Sequence, residues 1–353
     1  MRARTLLRLG LRLLVGVGVL AAVLRMVGAG DPARLIHRVG QAGWWLALVP
    51  VPTLVAMSLD VVGWQALLRL LGHPVAWLRL LAVRLSVEAV VLAAPGGSVA
   101  GEPLKASLLR SRLGVPLRAG AASLVLTKAL VTASASIYLG LAALLASTRD
   151  TAGTPARVAA AISALLLVLS TSLLLVLHRL AVAPPRGEGT HRWRRWYERR
   201  RAELAGVAGE AKVFYRAGPR GWLLCFIPFL FEWFTEGCES FLILRCLSVS
   251  ISLGDALVVD GVGSVLRAFA FFVPGGLGVQ DGAQVLLLRL LGFGGDPLTA
   301  AAFVFTKRTK ELFWIVTGGI LFAGTRDGMA AHATQRANPA DTIIAGPSPR
   351  EAS

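Results

Sequence analysis

The chain has 353 residues, 55% of them hydrophobic and only 16% charged, with a mean hydropathy of +0.65. That apolar fraction and the repeated long uncharged runs exclude a soluble globular protein and indicate an integral membrane protein. The formal charge of +17, from 37 basic against 20 acidic residues, is what cytoplasmic anchoring and attraction to anionic lipid produce in a polytopic chain, so no nucleic-acid partner is invoked.

Arg2, Arg4, Arg8 and Arg12 precede an apolar run from Leu13 to Val27, interrupted only by Arg25. Because further spans follow, this reads as an uncleaved first helix with a cytoplasmic N-terminus rather than a signal peptide. A second span covers Trp44–Leu71, where Pro50 and Pro52 predict a kink and Trp44-Trp45 suits an interfacial aromatic belt. A third, Val75–Ala94, leads into Pro95-Gly96-Gly97; spans four and five cover Arg118–Ala146 and Val158–Leu180.

Between Pro184 and Arg220 the chain turns basic, with arginines interleaved with Trp193, Trp196 and Tyr197. Two readings stand: an amphipathic helix on the inner leaflet, holding anionic lipid at Arg192–Arg201, or a solvated linker helix. Span six (Trp222–Leu247), span seven (Leu253–Val273), a second Pro-Gly-Gly segment and span eight (Leu298–Ala323) follow. From Thr325 small and polar residues with several prolines predict a disordered tail, placed in the cytoplasm. The divisions are a first membrane half (1–183), a basic segment (184–220), a second membrane half (221–324) and the tail (325–353). Cys225, Cys238 and Cys246 share one hydrophobic stretch without Cys-x-x-Cys spacing and are expected to be free, buried thiols.

The segments at Pro95-Gly96-Gly97 and Pro274-Gly275-Gly276-Leu277-Gly278 must interrupt their helices, since proline removes a donor and glycine adopts backbone angles other residues avoid. A gapless offset of 179 superposes them, placing Glu102 on Asp281 and Thr127-Lys128 on Thr306-Lys307, with 11 identities in the 34 positions from Pro95 to Lys128. This is an internal duplication, and paired Gly/Pro-interrupted segments point to a transporter's binding site. With the N-terminus inside, five simple spans would leave the arginine-rich segment outside, against the positive-inside rule. If the segment after Pro95 also crosses, that segment returns inside and the repeats are inverted. If the segments re-enter and leave on one side, the repeats are parallel. The inverted arrangement is favoured. The fold class is therefore an all-α transmembrane bundle with about eight full spans and two broken or re-entrant segments.

Span eight carries Lys307, Arg308, Lys310 and Glu311, which together cost about 10–14 kcal/mol at the bilayer centre. Its eleven Leu, Ile, Val and Phe residues return only about 3–7 kcal/mol, so the helix cannot face lipid there. Lys307 and Arg308 are spaced to pair partly with Glu311, and Glu232, Glu236 and Glu239 on one face of span six are natural counter-charges. One reading makes Lys128, Arg267, Lys307, Arg308 and Lys310 a lipid-headgroup site, since arginine grips phosphate bidentately and lysine acts as a point charge. The other makes them an internal ion-pair network. Glu102 and Asp281 are expected to cap or gate the broken helices. The five histidines lack metal-ligand spacing, and no hydrolase elbow or P-loop appears, so neither metal, cofactor nor enzyme activity is expected.

The stretch Pro274–Gly282, then Leu-Leu-Gly-Phe at 290–293 and Lys307–Glu311, resembles the flippase-like integral membrane family that includes the transmembrane region of lysylphosphatidylglycerol synthases. The wording Leu266–Gly275 is most similar to a branch associated with hopanoid-biosynthesis loci, and Gly101–Lys105 matches the first-half pattern. Asp281 departs from the family's usual glutamate, keeping the charge at shorter reach. The resemblance covers residues 10–325. It implies a membrane lipid translocase moving an anionic phospholipid, or a polyprenoid or hopanoid-type lipid, between leaflets of the cell membrane. The alternative is a non-transporting subunit that scaffolds a lipid-synthesis enzyme. Some members of the family carry a soluble aminoacyl-transferring domain after the membrane region; with a short tail in that place, this activity is not expected here. An intramembrane transferase using Glu232, Glu236 and Glu239 is a third reading without a donor site.

Overall fold

The computed structural model describes residues 32–41, 43–93, 97–148, 153–182, 205–270, 273, 276, 278–293 and 296–336, with side chains to 323. All regular structure among them is helical, as the sequence predicts. The expected first span (Leu13–Val27), Pro95, Gly96, Pro274, Gly275, most of the basic segment including Arg192–Arg201, and the end of the tail lie outside the described residues.

A short amphipathic helix α1 (Pro32–Gly40) buries Leu35 and Val39 and is followed by a 3-10 turn over Gly43–Leu48. Helix α2 (Pro50–Leu70) then starts at Pro50, so Pro50 and Pro52 open a helix instead of kinking one. The first turn has no intrahelical use for its N–H groups, which is why it tolerates proline. Next come α3 (Trp77–Ala93), α4 (Gly97–Leu113), α5 (Leu117–Ala146) and α6 (Gly153–Val182). After the basic segment come α7 (Lys212–Arg216), α8 (Gly218–Cys246), α9 (Leu253–Phe269), α10 (Val279–Leu290) and α11 (Pro297–Arg336). Among the described residues three stretches are long and apolar enough to cross a membrane by themselves: Gly43–Leu70, Leu117–Ala146 and Gly153–Ala181. Helices α8 and α11 have the length but carry the charges.

The order of α2 to α5 is repeated by α8 to α11 at the offset of 179. Equivalent helices α2 and α8 pack antiparallel. Thr53 near the start of α2 meets Glu239 near the end of α8, Gly63 meets the Phe229 ring, and Leu70 lies near Gly221. Two further contacts are reciprocal, with α3 against α11 and α9 against α5. Self-contact of one equivalent pair together with exchanged contacts of two others is the pattern a two-fold produces. Because α2 and α8 run in opposite directions, that axis lies across the helices and the units are inverted.

Each unit contains a tight hairpin at its break. Helix α4 turns back along α3, with Gly97 on the backbone of Val90 and Val91 and Gly101 against Val87 and Val91. A side chain at Gly97 would strike those carbonyls, so glycine is what allows the approach. At 17 residues each, α3, α4 and α9 are about 25 Å long, and the 12-residue α10 about 18 Å, against roughly 30 Å of hydrocarbon. Gly101, Gly318 and Gly261 likewise bring helices together, the last two against Leu85 and Tyr138. The core around Tyr138, Leu139, Leu257 and Phe303 draws on both units. All three cysteines are free, but only Cys225 is buried. Cys238 is exposed and Cys246 intermediate, because their helix turns those positions away from the core.

Candidate functional site

Helix α11 presents its charges inward, and each finds a carboxylate on a different helix. Lys307 is buried against Asp260 of α9, and its ammonium also lies over the Phe303 ring, 5.6 Å from the centroid. Arg308 donates from Nε and Nη2 to Asp281 Oδ1 of α10, at 2.9 and 2.7 Å, and from Nη1 to Glu311 at 2.5 Å. Lys310 donates to Glu239 of α8 at 2.5 Å. The other oxygen of Glu239 accepts from the Thr53 hydroxyl at 2.7 Å, tying α2, α8 and α11 together. Such helices escape the lipid penalty by pairing their charges in the bundle interior.

The partners differ in part from those the spacing predicts. Lys307 bonds Asp260 rather than Glu311, because the packed neighbour α9 brings a fully buried carboxylate closer than the next turn of its own helix. Glu311 serves Arg308 and, at 3.5 Å, Arg267. Of the three span-six carboxylates only Glu239 neutralises a cation of α11 by direct contact. Glu232 and Glu236 make no salt bridge among the described residues. The charges that act on Glu232 are those of Asp60, Glu236, Arg84 and Lys105, and those that act on Glu236 are Asp260, Arg267, Lys310 and Lys307.

At the second break Gly276 and Gly278 have φ of +64° and +80°, the left-handed region that glycine enters without penalty. Asp281 Oδ2 accepts from the Gly278 N–H at 2.9 Å, so this carboxylate caps α10 and binds Arg308 with its other oxygen. Its counterpart Glu102 does not cap. It is 38% exposed and reaches Lys105 of its own helix at 3.4 Å, because it stands in the second turn of α4 rather than the first.

Arg267 lies beside Gly276, is 30% exposed, and among the described residues makes a single hydrogen bond, the 3.5 Å contact to Glu311. Lys128 stands apart from the network. Its repeat partner Lys307 is buried, whereas Lys128 is exposed on α5 with no carboxylate within bonding distance among the described residues.

The structure adds residues the sequence reading passed over. Arg84 of α3 bridges Asp60 of α2 and Glu88 of α3, and all three are largely buried. Ser240 donates to Asp260 at 2.6 Å. Two signals were available. Arg84 and Glu88 are an i,i+4 charge pair inside an apolar span. The 179 offset, carried beyond the Pro-Gly-Gly segments, also sets Asp60 on Glu239, Thr53 on Glu232 and Glu88 on Arg267. The network built from both units therefore holds six cations, Arg84, Lys105, Arg267, Lys307, Arg308 and Lys310, against nine carboxylates. The residual positive charge expected from span eight alone is absent from the assembled site.

Residues 10–315 match the family described as the lysylphosphatidylglycerol synthase TM region. The chain is also similar to a UPF0104 membrane protein of Methanothermobacter thermautotrophicus, with 24% identity over 297 residues, covering 78% of this chain and 82% of the relative.

Proposed function

We infer that this chain, which belongs to the lysylphosphatidylglycerol synthase transmembrane-region family, works as a lipid translocase of the cell membrane. Its substrate is an anionic phospholipid, or a polyprenoid or hopanoid-type lipid, passed between leaflets, and it carries no enzymatic activity of its own. The observation that carries this reading is Arg267. A part-exposed guanidinium at a helix break, with one long hydrogen bond and four N–H groups without a partner among the described residues, is free to take a phosphate. Exposed Lys128 supplies a second cation on the path. Lys307, Arg308 and Lys310 tie α11 to α9, α10 and α8 within the second unit and release their carboxylates only as that unit rearranges, with the Asp281-capped break as the moving joint. Inverted units with broken helices at their interface support alternating access. Both termini lie in the cytoplasm, and Arg192–Arg201 rest on anionic lipid of the inner leaflet.

The full pairing of the α11 cations also favours the second reading, a rigid membrane subunit that scaffolds a lipid-synthesis enzyme. Reconstitution separates the two. Proteoliposomes should move a labelled anionic phospholipid between leaflets, and Arg267→Gln should abolish the movement while the protein stays folded. No transfer above protein-free vesicles, across anionic and polyprenoid-phosphate probes, would leave the scaffold.

A further inference from the structure

The two-fold relation assigns chemistry to Glu232. Between the units, Thr53 of α2 donates its hydroxyl to Glu239 of α8 at 2.7 Å, and Glu239 in turn binds Lys310. Under the 179 offset Thr53 becomes Glu232 and Glu239 becomes Asp60, so the equivalent contact sets Glu232 beside Asp60, which in turn binds Arg84. A carboxylate can replace the threonine donor only if it carries a proton. Ionised, it is acceptor-only and faces a second acceptor.

The surroundings point the same way. Glu232 Oε2 is buried without a hydrogen-bond partner among the described residues, and so is Oδ2 of the fully buried Asp260. Arg84 is already committed to Asp60 and Glu88, and Lys105 to Glu102 and the Trp64 ring, so neither cation is left for Glu232. The network as a whole has three more carboxylates than cations, an imbalance that a low-dielectric interior removes by retaining protons.

We propose that Glu232 is a proton-binding site, carrying an exchangeable proton toward Asp60 and releasing it to water when the interface between α2 and α8 opens. The step is the dissociation of a carboxylic acid to carboxylate and proton, with water as acceptor. Coupling of that proton to lipid movement rests on the translocase reading; the proton site itself does not.

Infrared difference spectra of the whole protein in neutral phospholipid vesicles test it. A carbonyl band of a buried protonated carboxylic acid is expected at neutral pH, lost or reduced in Glu232→Gln and intact in Glu102→Gln. Should Glu232→Gln not fold, Glu232→Thr restores the hydroxyl found in the other unit and should fold with the band reduced. Absence of the band in the unaltered protein, or a band indifferent to both Glu232 variants, overturns the proposal. In proteoliposomes an imposed pH difference should change the transfer rate of the unaltered protein but not of Glu232→Gln. A band without any lipid transfer sinks the translocase reading and keeps the proton site. Transfer without band or pH response does the reverse.

Discussion

Glu88 and Arg267 occupy the same position in the two units, 179 residues apart, with opposite charge, and each makes its ion pair inside its own unit, Glu88 with Arg84 and Arg267 with Glu311. A duplicated position has thus diverged in charge while keeping an ion-pair partner in its own unit. Glu88 is held by Arg84 on the helix before the first break, and Arg267 leans on the second.

Arg267→Gln is expected to change stability little, because the side chain is partly exposed and gives up one hydrogen bond at 3.5 Å. Surface-like losses of this kind fall within about 0.5–1 kcal/mol. Lipid transfer should fall to background, and Arg267→Lys should restore only part of it, since an ammonium lacks the planar fork. Thermal unfolding measured beside leaflet transfer checks both.

Lys310→Gln is expected to behave oppositely. It strands the buried Glu239 carboxylate, and breaking such a pair costs about 3–5 kcal/mol. The double variant Lys310→Met, Glu239→Leu should recover much of that loss, because an apolar pair leaves no uncompensated charge. Recovery of the melting temperature without recovery of transfer would show that the pair is also used when the units move.

Lys128→Gln separates the repeat partners. Exposed and unpaired, Lys128 should contribute less than about 0.5 kcal/mol to stability, whereas Lys307→Gln, which strands Asp260, should destabilise as Lys310→Gln does. Equal melting temperatures for the two variants would show that Lys307 is not held as tightly as its contacts indicate.

Gly318→Leu is expected to disrupt the contact of α11 with α3. The added side chain meets the Leu85 carbonyl and Ala89, and overpacking of this kind costs about 1–3 kcal/mol. Gly319→Leu, one residue on and facing open space, is the control and should unfold at the temperature of the unaltered protein.

Cysteines introduced between Arg192 and Arg201 should resist membrane-impermeant reagents applied to intact cells and react after permeabilisation. Labelling from outside would reverse the orientation assigned to both termini.

Hydropathy and helix breakers are local properties, and what depends on them was legible in the sequence. The apolar runs gave the helices, glycine and proline gave the two breaks, and the insertion cost of Lys307, Arg308 and Lys310 required that α11 be buried. The 179 offset, too, is written in the chain, since duplicated breakers and charges keep their spacing. Which carboxylate each cation takes was not legible. That choice depends on the rotation of each helix about its axis, fixed by close approaches at Gly63, Gly261 and Gly318 between segments far apart in sequence. Spacing along α11 offered Glu311 to Lys307, but packing supplied Asp260. Equal sequence position offered Lys128 and Lys307 the same role, yet burial separated them, because α5 turns Lys128 outward while α11 turns Lys307 in. The antiparallel contact of α2 with α8 set the direction of the repeat and gave Glu232 an acid for a neighbour, since only the folded chain brings the two units face to face.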